Sequence, residues 1–295
     1  MALPRVLALL AFAMLAVLGG PVAPAMAADD AAIARGFYLA AAADCGGCHT
    51  DKKGGGQPLA GGRPLATPFG TFYGPNITPD PATGIGRWSA DDFHRAMREG
   101  KNEHSAYMFP VFPFTSFTNL SDQDIADLYA YLMSLPPVSH RAPRNDVKFP
   151  FGWRPLLLGW RTLFFREGPL QPVARQSEEW NRGRYLAEAV AHCQECHTPR
   201  NFLGALDHAH AYAGNPHGPD DNEAPDITSD KKDGLGDWKL EDIVEVLNTG
   251  VTPDGDYVSK GMAEVVEGTA KLTDADRKAI AVYIKSLPAL PPTPK

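Results

Sequence analysis

The sequence predicts a mainly α chain built from two tandem copies of one loop-rich helical unit. Three observations carry this. A set of short segments occurs twice in the same order, each copy has a helical stretch running into a Cys-x-x-Cys-His segment, and each copy closes on a capped amphipathic helix stopped by proline.

The N-terminal segment stands outside that pattern. Arg5 precedes an apolar run from Val6 to Leu18, then Gly19, Gly20 and Pro21, and Ala25-Met26-Ala27 is a small-x-small cleavage site. Residues 1–27 therefore form a secretory signal peptide, with a mature chain beginning at Ala28. The run falls short of the roughly 20 residues a membrane span needs, which disfavours an uncleaved anchor. Export places the protein in the periplasm. Loss of Arg5 moves the formal charge from −7 to −8. An acidic chain lacks the basic face that nucleic-acid binding requires. Its 295 residues favour two domains over one, and 28 Gly with 27 Pro imply long irregular loops.

The repeat can be followed segment by segment. Arg35-Gly36-Phe37-Tyr38-Leu39 matches Arg182-Gly183-Arg184-Tyr185-Leu186, and Asn76-Ile77-Thr78 matches Asp226-Ile227-Thr228. Gly84-Ile85-Gly86-Arg87-Trp88 matches Gly234-Leu235-Gly236-Asp237-Trp238. Near the end of each copy, Ser121 and Thr273 are N-caps with Asp124 and Asp276 three residues on. Leu128, Tyr131, Leu132 and Leu135 then form one apolar face, as do Ile280, Tyr283, Ile284 and Leu287, before Pro136 and Pro288. The resulting division is a first domain at 28–137, a linker at 138–175 and a second domain at 176–295.

The four cysteines define the chemistry. Cys45-Gly46-Gly47-Cys48-His49 and Cys193-Gln194-Glu195-Cys196-His197 both carry the attachment signature for c-type haem. Two thiols on one turn of backbone add to the two vinyl groups of a haem, and the next residue, histidine, faces the iron. A zinc ribbon needs a second pair about 15–20 residues away, which is absent. Disulfides suit an exported chain but leave both histidines unexplained. Two covalently attached haem c groups are therefore expected, with Cys45, Cys48, Cys193 and Cys196 as thioether sites and His49 and His197 as proximal ligands. A covalent macrocycle also supplies core to a small unit rich in loops. Trp88 and Trp238 offer indole N–H groups to haem propionates, or pack in the core.

A low-spin carrier needs a second axial ligand. Met262, in a Gly-Met-Ala loop, is the one methionine of the second copy and is assigned there. For the first copy, Met108 lies in the matching loop and is the choice; His104 is its rival, and an open iron is the third possibility. The remaining histidines, His94, His140, His192, His208, His210 and His217, are expected to face solvent or bond locally.

These motifs resemble the cytochrome c subunits of bacterial membrane-associated dehydrogenases for alcohols, aldehydes and sugar acids. Carrying the resemblance are Thr67-Pro68-Phe69-Gly70-Thr71, Asn76-Ile77-Thr78-Pro79-Asp80, Phe112-Pro113-Phe114-Thr115-Ser116-Phe117, Cys196-His197-Thr198-Pro199-Arg200 and the linker from Trp153 to Phe165. The resemblance implies tandem cytochrome c-like domains relaying electrons from a dehydrogenase partner to quinone, another cytochrome or an oxidase. It also implies His49 and His197 as proximal ligands and Met262 as a distal one. Two departures stand out: such subunits usually carry three haem domains, and Phe112 occupies the place where many relatives have a methionine.

The linker holds a short aromatic-rich helix with Pro155 at its start. It is expected to pack between the domains, the alternative being peripheral contact with a membrane or another protein of a complex. Electron transfer is the leading function. A two-haem redox enzyme, peroxidase-like or thiosulfate-oxidising, with an open iron in the first domain, is the alternative.

Overall fold

A computed structural model describes residues 29–218 and 223–290; the expected signal peptide lies outside the described residues. The first helix, α1 (Asp30–Ala42), begins where the Asp29 carboxylate accepts the Ala31 N–H. Asp30 in its first turn complements the positive end of the helix dipole. After the short α2 (Cys45–His49), β1 (Pro64–Thr67) and β2 (Gly70–Tyr73) form an antiparallel hairpin with Pro64 opposite Tyr73. Helix α3 (Ala90–Glu99) starts on a capping box between Ser89 and Asp92 and stops at Gly100, φ 60°. A β-carbon at Gly100 would lie 2.5 Å from the Phe114 ring, so both backbone conformation and space demand glycine. The short α4 (Phe114–Phe117) and the long α5 (Asp122–Ser134) complete this half. Then β3 (Asp146–Val147) adds to β2, and α6 (Pro155–Phe164) follows.

The second half repeats the order. It runs through α7 (Glu178–Tyr185), a π-helical turn at Leu186–Val190, α8 (Gln194–His197) and a 3-10 turn at His208–His210. The antiparallel pair β4 (Ala213–Asn215) and β5 (Ala224–Asp226) precedes α9 (Leu240–Thr249), α10 (Lys260–Thr269) and α11 (Asp274–Lys285). The expected caps are present: Ser121 accepts the Asp124 N–H and Thr273 the Asp276 N–H.

Each half is organised by a helix crossing at a glycine. A β-carbon on Gly36 of α1 would lie 2.0 Å from the Asp127 carbonyl of α5, and one on Gly183 of α7 would lie 1.8 Å from the Ala279 carbonyl of α11. The matched glycines let the two pairs of backbones touch. Beside the first crossing, the Arg35 guanidinium makes a two-pronged bond to the Asp127 carboxylate, at 2.6 and 2.9 Å. That carboxylate side chain is 1% exposed, and the Arg35 bond holds its pKa below the usual carboxylate range. A depressed carboxylate pKa adds stability at pH above the unfolded value of about 3.9 and loses it as pH falls through the folded value. Asp127→Asn is therefore expected to lower stability at neutral pH. In urea unfolding curves, its deficit against the parent should shrink below about pH 4.

One buried apolar cluster spans both halves, joining Leu39, Ala42 and Ala43 of the first to Leu186, Ala187 and Val190 of the second. The linker helix α6 touches both: Phe165, just after it, stacks edge-on to Phe114 at 5.1 Å, and Trp160 donates its indole N–H to Leu203 O at 3.0 Å. Leu157 is buried, yet Leu156, Leu158 and Leu163 are exposed, as are Phe149 and Trp153. The helix thus packs by one face and leaves another open. No helix among the described residues is long and apolar enough to cross a membrane.

Candidate functional site

The two Cys-x-x-Cys-His turns are built alike. Helix α1 delivers the chain to Asp44, whose left-handed backbone (φ 45°) turns it into α2. The residue before the second turn, His192, has φ 42°. Such values are uncommon for residues other than glycine, and both sit at a sharp change of direction. The Asp44 carboxylate accepts the Gly47 N–H at 3.0 Å and so closes its own turn.

The histidines are held by one device. His49 Nδ1 lies 2.7 Å from Pro75 O, and His197 Nδ1 lies 2.8 Å from Pro225 O. A carbonyl only accepts, so each Nδ1 carries the proton and each Nε2 keeps its lone pair. Burial lowers both pKa values, which favours the neutral ring. An imidazole tied by Nδ1–H to a backbone carbonyl, with Nε2 free, is the standard presentation of a metal-binding histidine. The carbonyls are aimed by the repeated Asn76-Ile77-Thr78 and Asp226-Ile227-Thr228. In each, the first side chain accepts the N–H two residues on, at 2.9 and 2.6 Å. The repeat pointed to these residues; the proline carbonyl just before them went unread.

Cys45, Cys193 and Cys196 form no disulfide. Desolvation pushes the thiols of Cys45, Cys193 and Cys196 up to about 12, yet all four cysteines retain accessible surface. Gly74 passes so close behind the first turn that a β-carbon there would lie 1.9 Å from Cys48 O. Trp160 and Trp180 donate their indole N–H groups to Leu203 O and Ser286 Oγ. No such bond is made by Trp88 or Trp238 among the described residues, and both pack against the core. The donor set fits a macrocycle bound by two thioethers, with one neutral imidazole presented to its metal.

Each turn also docks on the opposite half. Glu195, between the cysteines of the second turn, is buried and accepts from Thr115 Oγ1 at 3.1 Å and Ser116 Oγ at 3.0 Å, both on α4. Burial would raise its pKa, but Arg200 beside it outweighs that and keeps it ionised. On the first turn, Arg63 donates to Gly47 O and pairs with Glu264 of α10 at 2.6 Å. No sequence pattern announced Glu195 or Arg63, because their partners are far away in the chain.

The distal candidates fall differently. Met262 was expected in a loop, but it lies in the first turn of α10, after Ser259 as N-cap, partly buried against the core. Met108 is in a loop and partly buried; its N–H donates to Gly100 O at 2.8 Å. In the second half it is Val258 whose N–H donates to Gly250 O, at 2.9 Å. By that register Met108 matches Val258, and Phe112 matches Met262. The side chain of His104 is 81% exposed and faces Glu103. His210 pairs with Asp207 three residues back, as expected of a locally bonded histidine, whereas His94 pairs with Asp122, 28 residues on, and His140 Nδ1 lies 2.8 Å from Ala60 O, 80 residues back. His192 departs from that expectation: it bonds to Ala43 in the other half.

Helices crossing at glycines, and histidines presented beside paired cysteines, define the class to which the comparisons then give a name. The cytochrome c family profile matches residues 33–136 and 181–288. The chain is 42% identical over 264 residues to a diheme cytochrome c-type protein of Cereibacter sphaeroides, covering 87% of this chain and 86% of that one. Against the gluconate 2-dehydrogenase cytochrome c subunit of Pantoea cypripedii it is 42% identical over 271 residues, covering 89% of this chain and 61% of that one. Against the fructose dehydrogenase cytochrome subunit of Gluconobacter japonicus it is 40% identical over 260 residues, covering 87% of this chain and 53% of that one. The chain thus spans only part of the length of these two dehydrogenase relatives. It belongs to the cytochrome c family, and its relatives include cytochrome subunits of dehydrogenases. That membership supports haem c as the cofactor and electron transfer as the role.

Proposed function

We propose that this chain is an exported two-haem cytochrome c that takes electrons from a dehydrogenase partner and passes them toward quinone, another cytochrome or a terminal oxidase. The observation that carries the reading is the duplicated turn: paired cysteines, then a neutral histidine whose Nδ1 is tied to a proline carbonyl. Cys45 and Cys48 would hold one haem and Cys193 and Cys196 the other, with His49 and His197 on the irons. When bound, each haem iron takes up and releases one electron. The residues around it fix the imidazoles and keep the turns in place, so little has to move. Met262 would serve the second iron as distal ligand and Met108 the first. The units are residues 28–137 and 176–295, joined by a linker at 138–175, and cleavage after Ala27 releases the protein to the periplasm.

The relatives supply the donor class, because two of them are named as cytochrome subunits of dehydrogenases. The exposed apolar face of α6, with Leu156, Leu158 and Leu163, offers a surface for that partner or for peripheral contact with a membrane.

Phe112 at the place of Met262 favours a second reading, in which the first iron is open and the protein is a two-haem redox enzyme. Carbon monoxide separates the two. In the carrier, neither reduced haem binds carbon monoxide, and Met108→Ala creates binding at one of them. If the unaltered protein already binds carbon monoxide and Met108→Ala changes nothing, the open-iron enzyme replaces the carrier.

A further inference from the structure

The second copy is one residue longer than the first just before its attachment turn. Six residues separate Tyr38 from Cys45, and seven separate Tyr185 from Cys193. The π-helical turn takes up the extra residue: the Ala191 N–H reaches Leu186 O, five residues back, at 2.7 Å. His192 and Asp44 then occupy the same place, each directly before its first cysteine and each left-handed. Their side chains act differently. Asp44 closes its own turn, whereas the His192 imidazole crosses to the first half. There Nε2 lies 3.2 Å from Ala43 O, and since a carbonyl only accepts, Nε2–H is the donor. The ring also stacks edge-on against Phe117 at 5.4 Å.

The surrounding contacts hold this seam shut by exchange. Tyr38 of α1 accepts the Thr273 N–H at 3.0 Å and donates to Asp276 at 2.6 Å, both at the start of α11. Its repeat partner Tyr185 accepts the Ser121 N–H at 3.0 Å and donates to Asp124, at the start of α5. The interface is therefore nearly two-fold symmetric, each half giving a tyrosine to the other's helix cap. Small residues populate it: Ala42 and Ala43 of the first half share the core with Ala187 and Ala189 of the second, which lets the backbones approach.

We propose that His192 is a positioning residue that locks the two attachment turns together, and that this seam is the crossing for electrons between the two haems. The proposal rests on the two-haem reading above. His192 adjoins Cys193, and only Asp44 stands between Ala43 and Cys45. A single hydrogen bond thus links the backbones that anchor both haems.

The test is internal electron exchange in the haem-loaded full chain after flash injection of one electron. Haem content and both potentials are measured alongside. His192→Ala is expected to slow exchange several-fold, because loss of the bond to Ala43 O lets the two turns move apart. Haem content and potentials stay unchanged, and His192→Gln, which restores an N–H donor, recovers the rate. Unchanged exchange in His192→Ala overturns the proposal. Should that variant fail to load its second haem, His192→Asn takes its place, because asparagine tolerates the left-handed backbone while its shorter side chain falls away from Ala43 O. Slower exchange there supports the proposal, and parental exchange overturns it. A parent chain that loads fewer than two haems shows a failure of the two-haem reading itself, visible before any exchange is measured.

Discussion

Replacing Cys45 and Cys48 with serine is expected to halve the covalent haem of the matured protein. The same loss is expected from replacing Cys193 and Cys196, and substituting all four removes haem from the denatured chain entirely. Two thioether bonds per turn are the attachment, and serine hydroxyls do not add to vinyl groups under the same conditions. The two turns share geometry but have separate partners, so loss at one leaves the other's imidazole tied to its own proline carbonyl. Pyridine haemochrome absorbance per chain, read after denaturation, checks this. Parental haem content in either double variant would mean that the turns are not the attachment sites. A second consequence follows from packing. A half without its macrocycle loses the core that a covalent haem supplies to a small, loop-rich unit. The expected stability loss therefore exceeds that of swapping two sulfurs for oxygens.

The second large effect is expected at the helix crossings. Gly183→Ala puts a methyl group where the nearest atom, Ala279 O, is backbone and 1.8 Å away. No rotamer relieves that contact, so α7 must move off α11. Overpacking of this kind costs about 3 kcal/mol. The urea midpoint should fall clearly, and Gly36→Ala should act alike through Asp127 O. Gly159→Ala is the control, because α6 leaves open space around that residue. It should be neutral or slightly stabilising, as alanine favours helix.

Much of this was legible in the sequence because the signals are local. Cys-x-x-Cys-His needs only five residues, and the caps at Ser121 and Thr273 only four each. The internal repeat then carried the local reading over the whole chain. What escaped depends on distance or on small shifts of backbone. Arg35 and Asp127 are far apart in sequence, and neither advertises the other. His192 was expected to face solvent or bond locally, because nothing in its neighbourhood encodes a reach of 149 residues to Ala43. A one-residue difference in repeat spacing was visible, but its expression as a π-helical turn was not. Met262 was expected in a loop because Gly261 precedes it. Helix α10 starts there instead, its first turn closed by the Ala263 N–H donating to Ser259 O at 2.8 Å, with no side-chain cap. The linker was expected to pack between the domains. It does so by one face only, with Leu157 inward and its leucine neighbours outward.

The central claim is that one chain carries two haems, each with both axial places filled by protein. The measurement that bears on it most directly is a redox titration of the matured protein followed by absorbance, in the presence and absence of carbon monoxide. The account predicts two one-electron steps per chain, both reduced haems low-spin, and spectra and potentials that carbon monoxide leaves unchanged. A single step per chain, or a carbon monoxide adduct that raises one potential, contradicts it.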